Sequence, residues 1–444
     1  MAGLALIIGV GILVSGNGIH EARANEESSK GIETWLIEIE GVLTDSNTDS
    51  SGLLTGLPGL IATAQENDER QAVLQAHIEV ITARARAGRS WPDPELRLGY
   101  EEEDGRDQIQ RRAALRFRLP DRVDRRLLEK ISAVDIDWMN KRLILLKEEI
   151  ALRVKTHYAE GVFARMRLLS GSERLREVLQ QERQLRILKD SGQASAIEEA
   201  RLVVEELKLY RSLRSEFSEF VNAINELVGM GINETQAKGA FQNAQWDQLL
   251  VNPFPSLEEL VTIAVRNSED TLQFEREDGM LSIRLNEVKR SWLPSPSFFQ
   301  LEWGDRKDFG ETGRDNEWGA LAGFTVDLFD DHAEELLLSI RRETELNHNL
   351  DLKTLEQDVK SGFADISSLF SSYEQFLAIC EPATESIERM FEESSAAGEN
   401  ESALWPIQED LYDLKSELLD MRWMLVETLM EFESTIGQVI SNRE

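Results

Sequence analysis

The sequence is short of the residues that staple and interrupt a chain. Cys380 is the only cysteine among 444 residues, so no disulfide can form within one copy. No cysteine near the N-terminus is available to accept a lipid anchor. There are only ten prolines, which leaves room for long helices, and 30% of the residues are charged, which gives such helices solvated faces. Positive charge is scarce: 49 Lys and Arg stand against 82 Asp and Glu, a net charge of −33. Nucleic acid needs a basic surface and is excluded as a partner. The acidity fits either a solvated surface or an acidic lumen that conducts cations.

Catalytic chemistry is lacking too. His20, His77, His157, His332 and His348 have no partner at ligand spacing except His332, which follows Asp330 and Asp331. That trio reads as a solvated helix start, not a metal site. There is no phosphate-binding loop and no nucleophile elbow. No catalytic residue, metal ligand or cofactor is therefore assigned, and an enzyme is not expected.

Long apolar runs are almost absent. The exception, Leu4 to Val14, is followed by polar residues and then by Ala22-Arg23-Ala24. It is shorter than the roughly 20 residues a membrane-crossing helix needs, and the order is that of a secretory signal. Residues 1–24 are expected to be a signal peptide, with a short membrane anchor as the alternative. No Lys or Arg precedes the run, as if the start codon were misplaced. A membrane role for the rest of the chain would have to come from strands.

What is present is written twice. Arg89-Ser90-Trp91 leads through Pro92 and Pro94 into alternating Leu96, Leu98 and Tyr100, and Arg290-Ser291-Trp292 leads through Pro294 and Pro296 into Phe299, Leu301 and Trp303. A second alternating segment follows in each half: Ala113, Leu115, Phe117 and Leu119, then Phe324, Val326 and Leu328. The spacing predicts strands at about 94–101 and 111–119, and again at about 297–303 and 319–328, joined by polar loops. Each pair is followed by a long helical hairpin, with tips near 191–193 and 395–399. After the first tip, Val203, Leu207, Tyr210, Leu213, Phe217, Phe220, Ile224 and Leu227 recur at steps of three or four. Leu404, Ile407, Leu411, Leu414, Leu418, Met421, Leu425, Leu429, Phe432 and Ile436 do the same after the second, which predicts left-handed coiled-coil seams.

The chain accordingly divides into an N-terminal segment (25–56), a first repeat (57–228), a connector (229–255) and a second repeat (256–440). Single helices are expected from Leu57 to Gly88 and from Ser256 to Ser291, the latter with Ser256 as N-cap and acids in its first turn. Four short strands cannot close a barrel, which begins at about eight, but symmetric copies could supply the rest. Trp91, Tyr100, Trp292, Trp303 and Trp318 lie where an aromatic girdle would sit. On the residues alone, a soluble sheet packed on helices remains equally open.

The doubled order of helix, Trp-Pro corner, strand, polar loop, strand and long hairpin resembles the outer membrane efflux protein family, the TolC-like channels. Trp91-Pro92-Asp93-Pro94-Glu95-Leu96 is similar to the family's entry into its first strand, Val326-Asp327-Leu328-Phe329-Asp330 to the exit from its second strand pair, and Ser256-Leu257-Glu258-Glu259-Leu260 with Ala264 and Asn267 to its helix opening; the likeness spans about residues 57–440. It implies a mainly α fold with a small β part, in which a homotrimer completes a twelve-stranded barrel and a twelve-helix tunnel. It also implies an outer membrane location, outer membrane lipid around the barrel, and a periplasmic adaptor and inner membrane pump as partners. The prolines before the strands lean toward the heavy-metal, CzcC-like branch. The resulting expectation is a passive export duct for small molecules or metal ions in an efflux or type I secretion system. The alternative is a non-conducting periplasmic coiled-coil protein of the same descent.

Candidate sites follow from this picture. In a three-fold assembly Asp190, Glu392, Glu393 or Glu399 near the tips would form acidic rings able to gate a pore or select cations. Ser191, Gly192, Ala194, Ala396, Ala397 and Gly398 are small tip residues that would let an adaptor's helices approach closely. Arg97, Arg116, Arg118, Glu302 and Asp327 are candidates for the barrel lumen, where charge is tolerated in water.

Overall fold

The computed structural model of the protein describes residues 31–43, 56–87, 93–103, 108–118, 122–190, 196–242, 244, 246–250, 254–289, 295–308, 315–325, 331–396 and 401–440. Helix α1 (31–43) precedes α2 (Leu57–Asn67) and α3 (Glu69–Ala87). Strands β1 (Glu95–Glu103) and β2 (Gln108–Arg118) lead into α4 (Arg122–Asp190) and α5 (Ala196–Gly229). The connector holds α6 (Glu234–Gln242) and a 3-10 turn at Trp246–Leu249. The order then repeats as α7 (Leu257–Asn267), α8 (Glu269–Val288), β3 (Ser295–Asp308), β4 (Asp315–Thr325), α9 (Asp331–Ala396) and α10 (Glu401–Ile436). At about 1.5 Å per residue, the 69 residues of α4 extend roughly 100 Å.

Three expectations need correcting. The single helices expected at 57–88 and 256–291 are each two helices, broken at Asp68 and at Ser268. Both residues start a new helix with their own side chains. Asp68 Oδ1 accepts from the Arg70 N–H at 2.8 Å, and Ser268 Oγ from the Thr271 N–H at 3.4 Å. Capping of this kind competes with the continuing helix. β1, β2 and β3 run further toward the loops than the apolar alternation indicated, because the backbone ladder continues through polar pairs such as Glu101–Gln110 and Arg111–Asp305. β4 is described only to Thr325, so Val326, Asp327 and Leu328 lie outside the described residues. Finally, the seam of α5 begins one residue earlier than expected. Leu202 and Glu206 are buried, whereas Leu207 is 46% exposed.

The two halves also end alike. Ile232 N–H donates to Leu227 O (3.2 Å) after α5, and Gln438 N–H donates to Glu433 O (3.2 Å) after α10. The intervening Gly231 and Gly437 have φ of 83° and 69°, the left-handed closing residue that glycine supplies.

Two compact units divide the chain. One contains α1, α4 from Thr156, α5, α6 and the Ser372–Met424 stretches of α9 and α10. Here α4 is buried along its length by Tyr158, Phe163, Leu168, Leu175 and Val178. Ile32, Leu36, Ile39 and Leu43 form the buried stripe of α1. Trp35 meets Tyr210 edge-on at 4.8 Å, and Glu33 and Glu40 pair with Arg183 and Arg176 of α4. Phe241 of α6 stacks on Tyr158 and covers Gly161, where a Cβ would lie 2.4 Å from the ring.

The other unit contains the sheet, α3, α7, α8 and the remaining stretches of α4, α9 and α10. Leu260, Ala264, Val359, Ile366, Leu429, Phe432, Ile436 and Ile440 form its apolar cluster. Lys155 and Glu433 are paired at 2.7 Å inside this unit, their side chains 3% and 0% exposed. Burial pushes the Glu433 carboxyl upward, while Lys155 and the Ile440 N–H, at 2.8 Å, favour its ionised form.

Candidate functional site

The four strands form one antiparallel sheet in the order β1-β2-β3-β4, and the β2–β3 pairing joins the two halves of the chain. β1, β2 and β4, with 9, 11 and 11 residues, match the roughly nine to eleven of a strand that crosses a bilayer, and β3, with 14, exceeds it. Directly opposed residues share a face, so the register sorts the side chains into two sets. One set runs Phe117–Phe299–Ala322, then Leu96–Leu115–Leu301–Ala320, then Leu98–Ala113–Trp303–Trp318. Phe324 extends it at the helix end and Tyr100 at the loop end. Instead of being covered by helices, this apolar face is open: Leu98 is 76% exposed, Trp318 79% and Phe324 65%.

The other face is polar. It carries Arg118–Phe298–Gly323, then Glu95–Arg116–Gln300–Leu321, then Arg97–Ala114–Glu302–Gly319, then Gly99–Arg112–Gly304–Glu317. The structure thus brings Arg97, Arg116, Arg118 and Glu302 together, while Asp327 lies outside the described residues. Glu95 accepts from Arg97 at 3.0 Å and pairs with Arg118 at 2.6 Å. The Arg116 guanidinium sits 3.9 Å over the Phe298 ring, and that ring lies across Gly323, where a Cβ would be 2.2 Å away. Only glycine leaves room for this stack.

The tips are less fully described. α4 ends at Asp190 and α9 at Ala396, while Ser191, Gly192, Ala194, Ala397, Gly398 and Glu399 lie outside the described residues. Of the acids singled out, Asp190 and Glu392 have described backbone only, and Glu393 is exposed on α9. Behind the first tip is a feature the sequence reading missed. Glu182 and Glu206 are both buried, with Arg186 held to Glu182 at 2.6 Å. Burial, reinforced by Glu182, pushes Glu206 up to about 7 against the pull of Arg186. Its signal was available: Glu206 occupies a buried step between Leu202 and Leu213.

Among the described residues no helix is long and apolar enough to cross a membrane, and no group of side chains could hold a metal ion.

No protein-family profile matches the chain, and no curated protein matches it in sequence. Solved structures do. The outer-membrane channel OprN matches with a TM-score of 0.63 at 11% identity, covering 86% of this chain and 90% of that one. CusC, whose structures concern transmembrane channel formation, matches with 0.60 at 12%, covering 88% and 96%. The open state of the MtrE outer membrane channel of Neisseria gonorrhoeae matches with 0.59 at 12%, covering 89% and 94%. The chain has the fold of the TolC-like outer membrane channels.

Proposed function

We propose that the chain is the subunit of an outer membrane duct, in which three copies of the four-stranded sheet close into a barrel of twelve. The observation that carries this reading is the exposed apolar sheet face backed by a charged one, with β1 and β4 left as open edges. In water such a face and such edges are an aggregation hazard; in a closed barrel the first meets lipid and the second disappear. Arg97, Arg112, Arg116, Arg118 and Glu302 stand on the other face, where the water of a lumen would receive them, while Arg111 and Asp305 continue the apolar face only at its loop end. α9 supports the same assembly, because Leu336, Leu346 and Leu350 are 62%, 62% and 63% exposed on a helix that would line a tunnel with neighbouring copies. The fold also fits a periplasmic adaptor and an inner membrane pump as partners, with small molecules or metal ions passing outward through the duct.

The test is fractionation followed by mass determination in mild detergent. A trimer in the outer membrane fraction, with heat-modifiable migration, is the expected result. A water-soluble monomer or dimer in the periplasm would sink the duct and leave a helical scaffold.

A further inference from the structure

Resting on that reading, we infer that the arginines at the helix end of the sheet form a belt that makes the duct prefer anionic solutes. The protein as a whole carries −33, yet the described polar face of its sheet holds Arg97, Arg112, Arg116 and Arg118 against Glu95, Glu302 and Glu317. The excess is local. Arg97 and Glu302 stand in one row and cancel, as do Arg112 and Glu317 in the next. Among the described strand residues of the two rows nearest the helices, Arg116 and Arg118 face the single carboxylate Glu95, which leaves one net positive charge per copy in those rows and three in a trimer.

The belt is also built to leave a cation free. Glu95 already pairs closely with Arg97 and Arg118, while Arg116, which stands opposite Glu95 in the ladder and acts on it only through space, is held flat by Phe298 and Gly323 and makes no close ion pair among the described residues. Its Nε is shielded from solvent and has no hydrogen-bond partner there. A guanidinium fixed in one orientation beside a second one is suited to a carboxylate, phosphate or sulfate group.

The acids at the other end do not neutralise it. Glu101, Glu102 and Glu103 lie six or more residues along β1 from Glu95, about 20 Å at 3.4 Å per residue, against a Debye length of about 8 Å. Twelve strands spaced about 4.8 Å apart and tilted about 40° give a barrel radius of about 12 Å, so side chains reaching inward bring the belt within about one Debye length of a passing ion.

The experiment is the reversal potential of the purified trimer in a planar bilayer under a KCl gradient, repeated with inorganic phosphate as the anion. The expected result is a chloride-over-potassium preference of about threefold, falling at least about twofold in Arg116→Gln and Arg118→Gln and retained in Arg116→Lys. A conducting trimer that prefers potassium, or whose selectivity ignores both glutamine substitutions, overturns the belt and leaves the duct standing. A correctly assembled, inserted trimer that does not conduct overturns the duct, and the belt with it.

Discussion

The helices α4 and α9 occupy equivalent places in the two halves and are nearly equal in length, at 69 and 66 residues, yet they face their surroundings differently. α4 buries apolar residues on several sides, from Ile150 through Tyr158, Phe163 and Leu168 to Leu185. Among its described side chains α9 buries only Val359, Ile366, Tyr373 and Cys380, one every seven residues along a single stripe. The difference comes from what is added to the first half. α1 and α6 come from the N-terminal segment and the connector, and they cover α4 through the α1 ion pairs and Phe241, while Trp35 of α1 packs on Tyr210 of α5. α9 is met more sparsely, by the connector's Trp246 and Phe254 on Tyr373 and Phe363, and by α8 through Phe274 on His348 and Asp278 on Arg341. A repeat therefore does not dictate how many partners its copies have, and the less covered copy is the one with surface to offer another subunit.

Removing the cover tests this most strongly. Deleting residues 31–43 withdraws Ile32, Leu36, Ile39 and Leu43, each buried side chain contributing about 1.5–3 kcal/mol as an upper estimate. Chemical denaturation should show a loss of several kcal/mol and an α4 as open to hydrogen exchange as α9; unchanged protection of α4 would end the comparison.

A second test concerns the carboxyl hidden behind the first tip. The folded-state value of Glu206, about 7, lies above the ordinary 4.5, so its contribution is whole below about pH 4.5 and is lost as pH rises through 7. Stability should fall by about 1.4 kcal/mol per pH unit across that window, and Glu206→Gln should flatten the profile. An unchanged slope in the variant would show that Glu206 titrates normally.

Gly161→Leu drives a side chain into the space of Phe241 and should cost about 1–3 kcal/mol in thermal or chemical unfolding. On the exposed face of α9 the same measurement should barely move. Leu346→Ala with Leu350→Ala should change monomer unfolding by less than about 0.5 kcal/mol each while weakening the trimer seen by native mass. A large loss in the monomer would mean that α9 is covered after all.

Much of the fold was legible in the sequence because it depends on local chemistry that repeats. The Trp-Pro corners and alternating apolar residues marked both strand pairs. Ser256 caps α7 through a reciprocal pair with Glu259, at 3.3 and 3.2 Å, as its spacing indicated. The breaks at Asp68 and Ser268 were missed because the apolar rhythm continues across them and only the side-chain caps reveal the interruption. The sorting of Arg97, Arg116 and Arg118 onto one face was readable from alternation, but the Arg116–Phe298–Gly323 stack was not, since it depends on pairing between segments far apart in the chain. For the tip residues, only Glu393 has a described side chain against which a reading can be set.

The seam between β2 and β3 has a consequence for the order in which the molecule comes into being. The β1–β2 and β3–β4 pairs are neighbours in sequence and can zip within microseconds. Pairing Arg118 with Phe298 instead closes a very long loop. Closure entropy grows only logarithmically with loop length, but the search it demands slows folding. The first long hairpin lies inside that loop and can shorten the search by folding back on itself before the strands meet. The helices would then act as a jig for the sheet, and a chain stopped before β3 would hold two strands with nothing to complete them.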